Sequence, residues 1–265
     1  MAAMTSSHLR LDVSGPVATI TIDRPAKRNA MSLEMWGAIP ALVKEVESDP
    51  AVRVLVLRGN EHFSAGADIS EFQTHRQGAE GARNYSAVVH AAERALAELA
   101  LPSLAAVRGF CIGGGCELAL ACDLRIAAAD ARFGITPAKL GIVYHYSSTK
   151  QLVDAVGPAW ARQILYSGEQ LDAATALRIG LVNEVHEVAD GAFDRRVDEL
   201  AETIAARAPV SVRGTKAITR RILDQGAAGA DAPEVEALYQ ASYTSREYAE
   251  GVQAFLDKRP PRFAP

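Results

Sequence analysis

The chain has 265 residues, of which 49% are hydrophobic, and this composition allows one large buried core or two smaller ones. Its 28 basic and 32 acidic residues give a formal net charge of −4, so we expect neither nucleic acid nor a membrane surface as a partner. The sequence begins without an apolar segment of signal-peptide length, and no stretch approaches the roughly 20 apolar residues of a membrane span. We therefore expect a cytoplasmic protein.

The N-terminal half alternates strand patterns with helix patterns. β-Branched residues in segments 10–13 and 17–23 flank a Ser-Gly-Pro turn and predict a hairpin, and Ser32 is placed to cap a helix over residues 33–47. Further strand patterns occupy residues 52–57, 103–107 and 124–127. Strands that alternate with helices are typical of crossover units, so the sequence predicts an α/β class with a mixed sheet.

From Lys150 onward the chain is mainly helical in pattern, and only residues 181–185 read as another strand. Apolar residues recur at helical spacing in segments 151–156, 159–166, 173–179, 193–207, 210–224, 234–241 and 245–256. The periodicity alone therefore predicts an α/β protein with a helical C-terminal region.

The three cysteines do not indicate a metal site. Cys111, Cys116 and Cys122 are odd in number, lack the paired spacing of zinc ligands and lie among apolar residues. We expect buried, reduced thiols and no bound metal.

A glycine triplet between a buried strand and a helix is the most informative motif. Gly113, Gly114 and Gly115 allow the backbone to approach a ligand closely, and the helix that follows offers unpaired N–H groups and the positive end of its dipole. Glu117 lies in the first turn of this helix, so the motif places an anion site beside an acid. A tight strand-to-helix turn, in which Glu117 only favours the helix N-terminus, is the alternative interpretation.

A second glycine loop favours the ligand site. The segment Phe63-Ser-Ala-Gly-Ala-Asp-Ile69 follows the strand at 52–57 and again places small residues where a strand ends. Two such loops can direct backbone N–H groups at one oxygen atom.

Together these motifs resemble the crotonase, or enoyl-CoA hydratase/isomerase, superfamily. The resemblance extends from Ile22-Asp-Arg-Pro-Ala-Lys-Arg-Asn-Ala30 through both loops and Phe133-Gly-Ile-Thr-Pro-Ala-Lys-Leu-Gly141 to Glu250-Gly-Val-Gln-Ala-Phe-Leu-Asp-Lys-Arg259. It implies an enzyme that binds acyl-CoA thioesters and stabilises a thioester enolate. Coenzyme A would enter as part of the substrate, with no separate cofactor.

The resemblance also implies an architecture. Residues 1–200 would form a spiral of ββα units that carries the acyl-CoA site, and residues 201–265 would form a helical C-terminal region that mediates trimer contacts. A homotrimer or a dimer of trimers is the expected assembly, and fatty acid metabolism is the expected setting.

Matching the motifs assigns roles to individual residues. The N–H groups of Ala67 and Gly114 would form the oxyanion hole, and the loop that contains Lys27 and Arg28 would wrap the adenine and phosphate end of CoA. A solvated turn would explain those two cations equally well. The other residues that the match places at substrate or CoA are Ala30, Ala65, Asp68, Ile69, Gly113, Pro137, Leu140, Phe255 and Lys258. For Asp68 a helix-capping role is preferred, and packing competes with CoA binding at the last two positions.

The sequence departs from a typical hydratase at one catalytic position. Glu117 corresponds to the first of two catalytic glutamates, but the position of the second is Pro137, and residues 131–153 contain no Asp or Glu. We therefore expect Glu117 to be the sole carboxylate acid or base. The pattern from Thr136 to Tyr144 resembles a methylmalonyl-CoA decarboxylase branch, so Tyr144 is predicted to bind substrate or donate a proton.

Two aromatic neighbours follow this tyrosine. His145 is expected to point away from the site, and Tyr146 is expected in the pocket wall.

Three functions remain open at this point. A hydratase or isomerase of enoyl-CoA fits best, and a decarboxylase of a malonyl- or methylmalonyl-type thioester needs only the oxyanion hole and a proton donor. The third is a non-catalytic acyl-CoA-binding or RNA-binding homologue. The presence of Glu117 beside an intact oxyanion hole argues against a catalytically inactive homologue. The excess of acidic over basic residues argues against RNA binding. The sequence does not specify the acyl chain.

Overall fold

Nine strands form two sheets in the computed structural model, which describes residues 6–226 and 232–263. In chain order they are β1 Leu9–Ser14, β2 Val17–Ile22, β3 Val54–Gly59, β4 Ser103–Val107, β5 Phe110–Ile112, β6 Leu124–Ala128, β7 Arg132–Gly134, β8 Leu171–Asp172 and β9 Glu184–His186. The larger sheet has the order β1-β2-β3-β4-β6-β9, and the smaller has the order β5-β7-β8.

The larger sheet is mixed, as the sequence predicts. β1 and β2 form the expected antiparallel hairpin, whereas β2, β3, β4, β6 and β9 run parallel to one another. Parallel neighbours require crossover connections, and these carry the helices that cover both faces of the sheet.

Ten helices lie in the described residues, together with short 3-10 turns. They are α1 Leu33–Ser48, α2 Phe72–His75, α3 Gly78–Glu98, α4 Gly114–Ala121, α5 Tyr146–Ser167, α6 Ala173–Arg178, α7 Ala192–Ala205, α8 Pro209–Gln225, α9 Pro233–Tyr243 and α10 Arg246–Leu256. None of the helices in this part of the chain is both long and apolar enough to cross a membrane.

The core has two apolar layers, one on each face of the larger sheet. Successive side chains of β3 point to opposite faces, so Leu55 and Leu57 pack into the cluster that contains Trp36 of α1 and Leu96 of α3. Val54 and Val56 pack on the other face against α7. The layered arrangement confirms the α/β class, and the site lies on the α1 and α3 side.

Several predicted elements shift in the structure. The strand expected at 181–185 is instead β9, and the helical segments expected at 151–156 and 159–166 belong to one kinked helix, α5. The kink lies at Gly157, which has a φ of +73° that glycine adopts without strain, and Pro158 follows it. Helix α7 runs across residue 200, where the sequence placed the boundary between core and C-terminal region, and packs on the sheet.

The three cysteines are buried free thiols, as predicted. Cys116 Sγ lies 2.7 Å from the carbonyl oxygen of Cys111, so it is held by the backbone. No cluster of three or more His, Cys, Asp or Glu side chains within residues 6–226 and 232–263 is placed to hold a metal ion.

Candidate active site

A cavity of about 200 Å³ opens where the two glycine loops meet. Its walls come from α1, both loops, α3, and the segment between β7 and α5. Most of its lining is apolar, and a few polar side chains converge on it from α3, α4 and the start of α5.

Backbone hydrogen bonds fix the first glycine loop. Met31 N–H donates to the carbonyl oxygen of Gly66 at 2.7 Å, and Asp68 N–H donates to the carbonyl oxygen of Met31 at 2.9 Å. These bonds bracket Ala67, whose own N–H donates to no other group in the described residues. Gly66 has a φ of +95°, and a Cβ there would lie 2.7 Å from the carbonyl oxygen of Ile112. Glycine is therefore required for the two loops to pack.

The second glycine loop is equally tight. A Cβ on Gly114 would lie 2.8 Å from Cζ2 of Trp36, and one on Gly115 would lie 2.6 Å from the carbonyl oxygen of Ser64. The Gly114 N–H begins α4 and, like that of Ala67, has no partner among the described groups. The structure thus brings together the two N–H groups that the sequence assigned to an oxyanion hole, and both residues line the cavity.

Glu117 is held at the cavity wall by the first turn of α4. Its backbone N–H donates to the carbonyl oxygen of Gly113 at 3.2 Å, which directs the side chain back toward the loop. The pKa of this carboxyl is raised to about 8; burial is the largest cause, and the charge of Glu93 and a hydrogen bond with it also contribute. A carboxyl with such a pKa can hold or release a proton near neutral pH.

A second carboxyl group, which was not predicted from the sequence, comes from α3 and lies behind Glu117. Among the described residues Glu117 is the one carboxylate that lines the cavity, so its role as the sole acid or base stays a prediction. Glu93 is 2% exposed, and burial raises its pKa as well. Ser148 Oγ donates a hydrogen bond to Glu93 Oε2 at 2.9 Å, and His90 Nδ1 lies 3.5 Å from the same oxygen. Glu93 Oε1 has no other donor among the described residues, so a proton on Glu117 is the group that can satisfy it.

A sequence signal for this glutamate exists. Glu93 lies on the apolar face of α3, between Val89 and Leu96, where a hydrophobic residue is usual. A charged residue on a buried face requires a partner, which here is another acid.

Tyr144 lies beside this carboxyl pair. Its hydroxyl is buried without a well-formed hydrogen bond among the described residues, and burial together with the charge of Glu117 raises its pKa well above the usual value. The phenol therefore stays protonated at neutral pH and can donate a hydrogen bond into the cavity.

The two histidines near Tyr144 stack. The ring centroids of His90 and His145 lie 3.4 Å apart, and both residues line the cavity. Burial lowers the pKa of each ring. The expectation that His145 points away was wrong, because its imidazole caps α5 by accepting from Ser147 N–H at 3.4 Å and so stays at the wall. Tyr146, expected in the wall, is instead 81% exposed and does not line the cavity.

Comparison with known proteins identifies the family. A sequence model described as enoyl-CoA hydratase/isomerase matches residues 12–265. The chain belongs to the enoyl-CoA hydratase/isomerase family. This result confirms the crotonase resemblance and shows that the protein is an enzyme of this family.

Two curated relatives from this family match nearly the whole chain. A short-chain-enoyl-CoA hydratase from Clostridium acetobutylicum is 35% identical, with 97% of each chain covered. A crotonyl-CoA hydratase from Syntrophomonas wolfei is also 35% identical, with 98% of this chain and 99% of the relative covered.

Solved structures of family members confirm the fold. An enoyl-CoA hydratase/isomerase family protein from Hyphomonas neptunium has a TM-score of 0.93 at 38% identity, with 99% of each chain covered. An enoyl-CoA hydratase from Bacillus anthracis has a TM-score of 0.88 at 30% identity, with 97% of this chain and 99% of that chain covered. The mixed α/β core with a helical C-terminal region is therefore a crotonase-type fold.

Pro137, the position at which the resemblance described above implies a glutamate in hydratases, lies in the cavity wall. It begins a 3-10 turn, Pro137–Leu140, and both of these residues line the cavity. No carboxylate enters from this segment.

The remaining predicted residues divide by location. Ala65, Ile69 and Gly113 line the cavity with the groups already described. Lys27, Arg28, Ala30 and Asp68 do not line it; Lys27 and Arg28 are exposed, and Asp68 lies within the first loop, where it pairs with Arg24.

Phe255 and Lys258 lie elsewhere on this chain, at the end of α10. The Phe255 ring is 83% exposed and borders a separate groove between α8 and α10. Within one chain, neither residue is part of the cavity.

Proposed function

We propose that this enzyme adds water across the α,β double bond of an enoyl-CoA thioester. The observation that carries the proposal is that Glu117, with Glu93 behind it, lines the same cavity as two unpaired backbone N–H groups.

The two N–H groups are suited to the charge that the reaction creates. When hydroxide adds to the β-carbon, negative charge moves to the thioester oxygen and an enolate forms. The N–H groups of Ala67 and Gly114 would donate to that oxygen, and because the backbone bonds of both loops fix them in advance, no reorganisation is required. Such a donor typically contributes about 100- to 1,000-fold in rate.

The carboxyl pair would manage the protons. At neutral pH two carboxyls in contact hold one proton between them, so the pair contains both a base and an acid. Glu117 is the member that reaches the cavity, where it would take a proton from water as the oxygen attacks the β-carbon and return a proton to the α-carbon. Glu93 does not line the cavity and would act as a positioning residue that holds the complementary proton or charge.

Glu117→Gln tests the proposal. The rate of crotonyl-CoA hydration should fall by about 100- to 10,000-fold, which is the contribution of a positioned acid or base. This rate is measured from the loss of absorbance of the conjugated thioester. Glu45→Gln, at an exposed position on α1, is the matched control and should retain the native rate. Native activity that survives Glu117→Gln would overturn the proposal.

Decarboxylation of a malonyl-type thioester is the second candidate, because the Tyr144 hydroxyl is buried at the cavity without a well-formed hydrogen bond. Such a reaction needs the oxyanion hole and a proton donor for the α-carbon. Tyr144→Phe should strongly reduce decarboxylation of methylmalonyl-CoA but change crotonyl-CoA hydration only modestly. Assay of the native enzyme with both thioesters determines which reaction it catalyses.

We further propose a cytoplasmic trimer or dimer of trimers that acts in fatty acid metabolism without nucleic acid or membrane partners. Exposed apolar side chains on α9 and α10 support self-association, since isolated chains rarely expose several large apolar groups together. They are Tyr239, Tyr243, Tyr248, Val252, Phe255 and Leu256. Light scattering should give about three or six times the 28.2 kDa chain mass.

A further inference from the structure

One wall of the cavity carries polar atoms that the described residues satisfy poorly. Trp36 Nε1 and the Tyr85 hydroxyl are buried, line the cavity and form no well-formed hydrogen bond among the described residues, and the group nearest to the indole N–H is the Tyr85 oxygen itself. The Tyr85 O–H is thus left as a donor. Buried donors without partners are rare in folded proteins because each loses its bonds to water. The Tyr85 hydroxyl is therefore suited to a ligand with a polar group at this wall.

A cation lies at the same wall. Arg76 follows α2, and its guanidinium stacks 4.7 Å from the ring centroid of Phe72 and 5.5 Å from that of Tyr85. All three residues line the cavity. Stacking on two aromatic faces holds the planar guanidinium in place and leaves its N–H groups available at its edge.

Nearby carboxylates do not neutralise this guanidinium. The Glu71 carboxylate accepts a hydrogen bond from Leu33 N–H at 2.8 Å, and Asp68 pairs with Arg24 at 2.8 Å. Within the described residues, Arg76 forms no ion pair with an acidic side chain. A partly buried cation without an acidic partner is the feature expected of a carboxylate-binding site.

An acyl group with a purely apolar end would leave the half-buried Arg76 and the buried Tyr85 O–H without an acceptor in the cavity. A terminal carboxylate would instead accept from the planar fork of Arg76 and from the Tyr85 hydroxyl. Glu117 faces this cavity, and Glu93 lies behind its wall. A carboxylate is disfavoured beside these two acids, so the acyl carboxylate would bind at the Arg76 end.

We propose that the acyl pocket selects acyl-CoA thioesters whose acyl group ends in a carboxylate, with Arg76 as the specificity-determining residue. The proposal rests on the acyl-CoA function proposed above and names its substrate class. It concerns binding, so it can be tested with saturated thioesters that cannot be hydrated.

Calorimetry with matched pairs of saturated thioesters tests this selectivity. The pairs are succinyl- and butyryl-CoA, glutaryl- and valeryl-CoA, and adipyl- and hexanoyl-CoA, which differ only in the terminal carboxylate or methyl group. The native enzyme should bind the dicarboxylic member of at least one pair about 10- to 100-fold more tightly, the range for a charge-assisted contact.

Arg76→Gln should abolish that preference by weakening dicarboxylic binding while leaving monocarboxylic binding nearly unchanged. Arg76→Lys should retain part of it, since the charge remains but the fork is lost. Arg83→Gln, at an exposed position on α3 that does not line the cavity, is the matched control and should bind like the native enzyme. Thermal unfolding of each variant verifies that it is folded.

Three outcomes separate the proposals. Equal or tighter binding of every monocarboxylic thioester, or a dicarboxylic preference that Arg76→Gln retains, overturns this inference even if crotonyl-CoA is hydrated. Dicarboxylic preference without hydration of any enoyl-CoA supports the inference and overturns the proposed hydratase reaction. Failure of every thioester to bind overturns both.

Discussion

The carboxyl groups of Glu93 and Glu117 interact although they lie on different helices, α3 and α4, and they are placed to share a hydrogen bond once one of them is protonated. The contact exists only when one carboxyl carries a proton, so it couples the protonation of the cavity-facing acid to that of a buried one. Two of the following predictions depend on that coupling.

Glu93→Gln should shift the pH dependence of hydration toward lower pH. Burial is the largest cause of the raised pKa of Glu117, and the charge of Glu93 and the hydrogen bond with it add to that effect. Removing the second acid lowers the pKa of Glu117 without returning it to its ordinary value, so the ionised base is present at lower pH. A profile of kcat/KM against pH measures the shift, and Glu80→Gln at an exposed position on α3 should leave it unchanged. An unshifted profile for Glu93→Gln would show that the two acids titrate independently.

The contribution of Glu117 to stability should fall as pH rises from about 4.5 to about 8. The lowered pKa values of His90 and His145 act in the opposite direction below pH 6.5, so the effect of Glu117 is measured against Glu117→Gln. Glu117 has a folded-state pKa of about 8 against an ordinary value of 4.5, so between these values the folded protein retains a proton that the unfolded chain releases. Unfolding then releases protons and becomes more favourable with rising pH. Glu117→Gln removes the titration, so its melting temperature should depend less on pH and exceed that of the native enzyme at pH 8. Parallel melting curves with the same pH dependence in both proteins would contradict this expectation.

Gly114→Ala should reduce hydration by about 100-fold or more, the loss expected for one oxyanion donor. The new Cβ would lie 2.8 Å from Cζ2 of the fully buried Trp36, so the indole or the loop must move and the N–H loses its alignment. Gly214→Ala is the matched control, because a Cβ on that helical glycine meets no atom within 4 Å. Steady-state kinetics of both variants measure the effect, and equal rates would show that the loop tolerates the added methyl group.

Asp68→Asn should destabilise the protein by about 1–3 kcal/mol, because it leaves the partly buried guanidinium of Arg24 without its ionic partner. A hydrogen bond from Ser70 is the largest cause of the lowered pKa of Asp68, and Arg24 adds to it. The stabilisation is therefore present above the unfolded pKa of 3.8 and is lost as pH falls through the lower, folded value.

Urea unfolding at neutral and acid pH measures this difference. The exposed pair of Arg10 and Asp12 provides the control, and Asp12→Asn should change stability little. If the Asp68→Asn variant is as stable as the native protein at neutral pH, the ion pair with Arg24 does not stabilise the first loop.

The parts of the site that depend on backbone geometry could be predicted from the sequence. Close contacts of the two loops require glycine at Gly66 and Gly114, so these positions can be recognised in the sequence as glycines. The capping roles of Ser32 and Asp68 can be predicted in the same way, because they depend on local hydrogen bonds. The carboxyl from Glu93 could not be placed, because its partner lies on a different helix and only the packing of α3 against α4 brings them together.

Burial on both faces indicated where a strand lies but did not fix its limits. The limits of β4, whose side chains are all buried, match the predicted segment, whereas β3, also buried on both faces, begins at Val54, two residues later than predicted. β9 lies three residues later than predicted, because the apolar residues Leu181 and Val182 pack into the core without joining the sheet. An apolar pattern reports burial, and pairing with a neighbouring strand is a separate property that it does not encode.

The bonds that bracket Ala67 join main-chain atoms, and the free N–H between them is itself a main-chain group. Alanine scanning deletes side chains only, and residue 67 is already alanine, so a scan leaves this donor unchanged. A mutational map of the cavity made in that way would consequently miss the contribution of the Ala67 N–H. Proline at position 67, or an ester in place of that peptide bond, is the kind of change that removes the N–H and makes its contribution measurable.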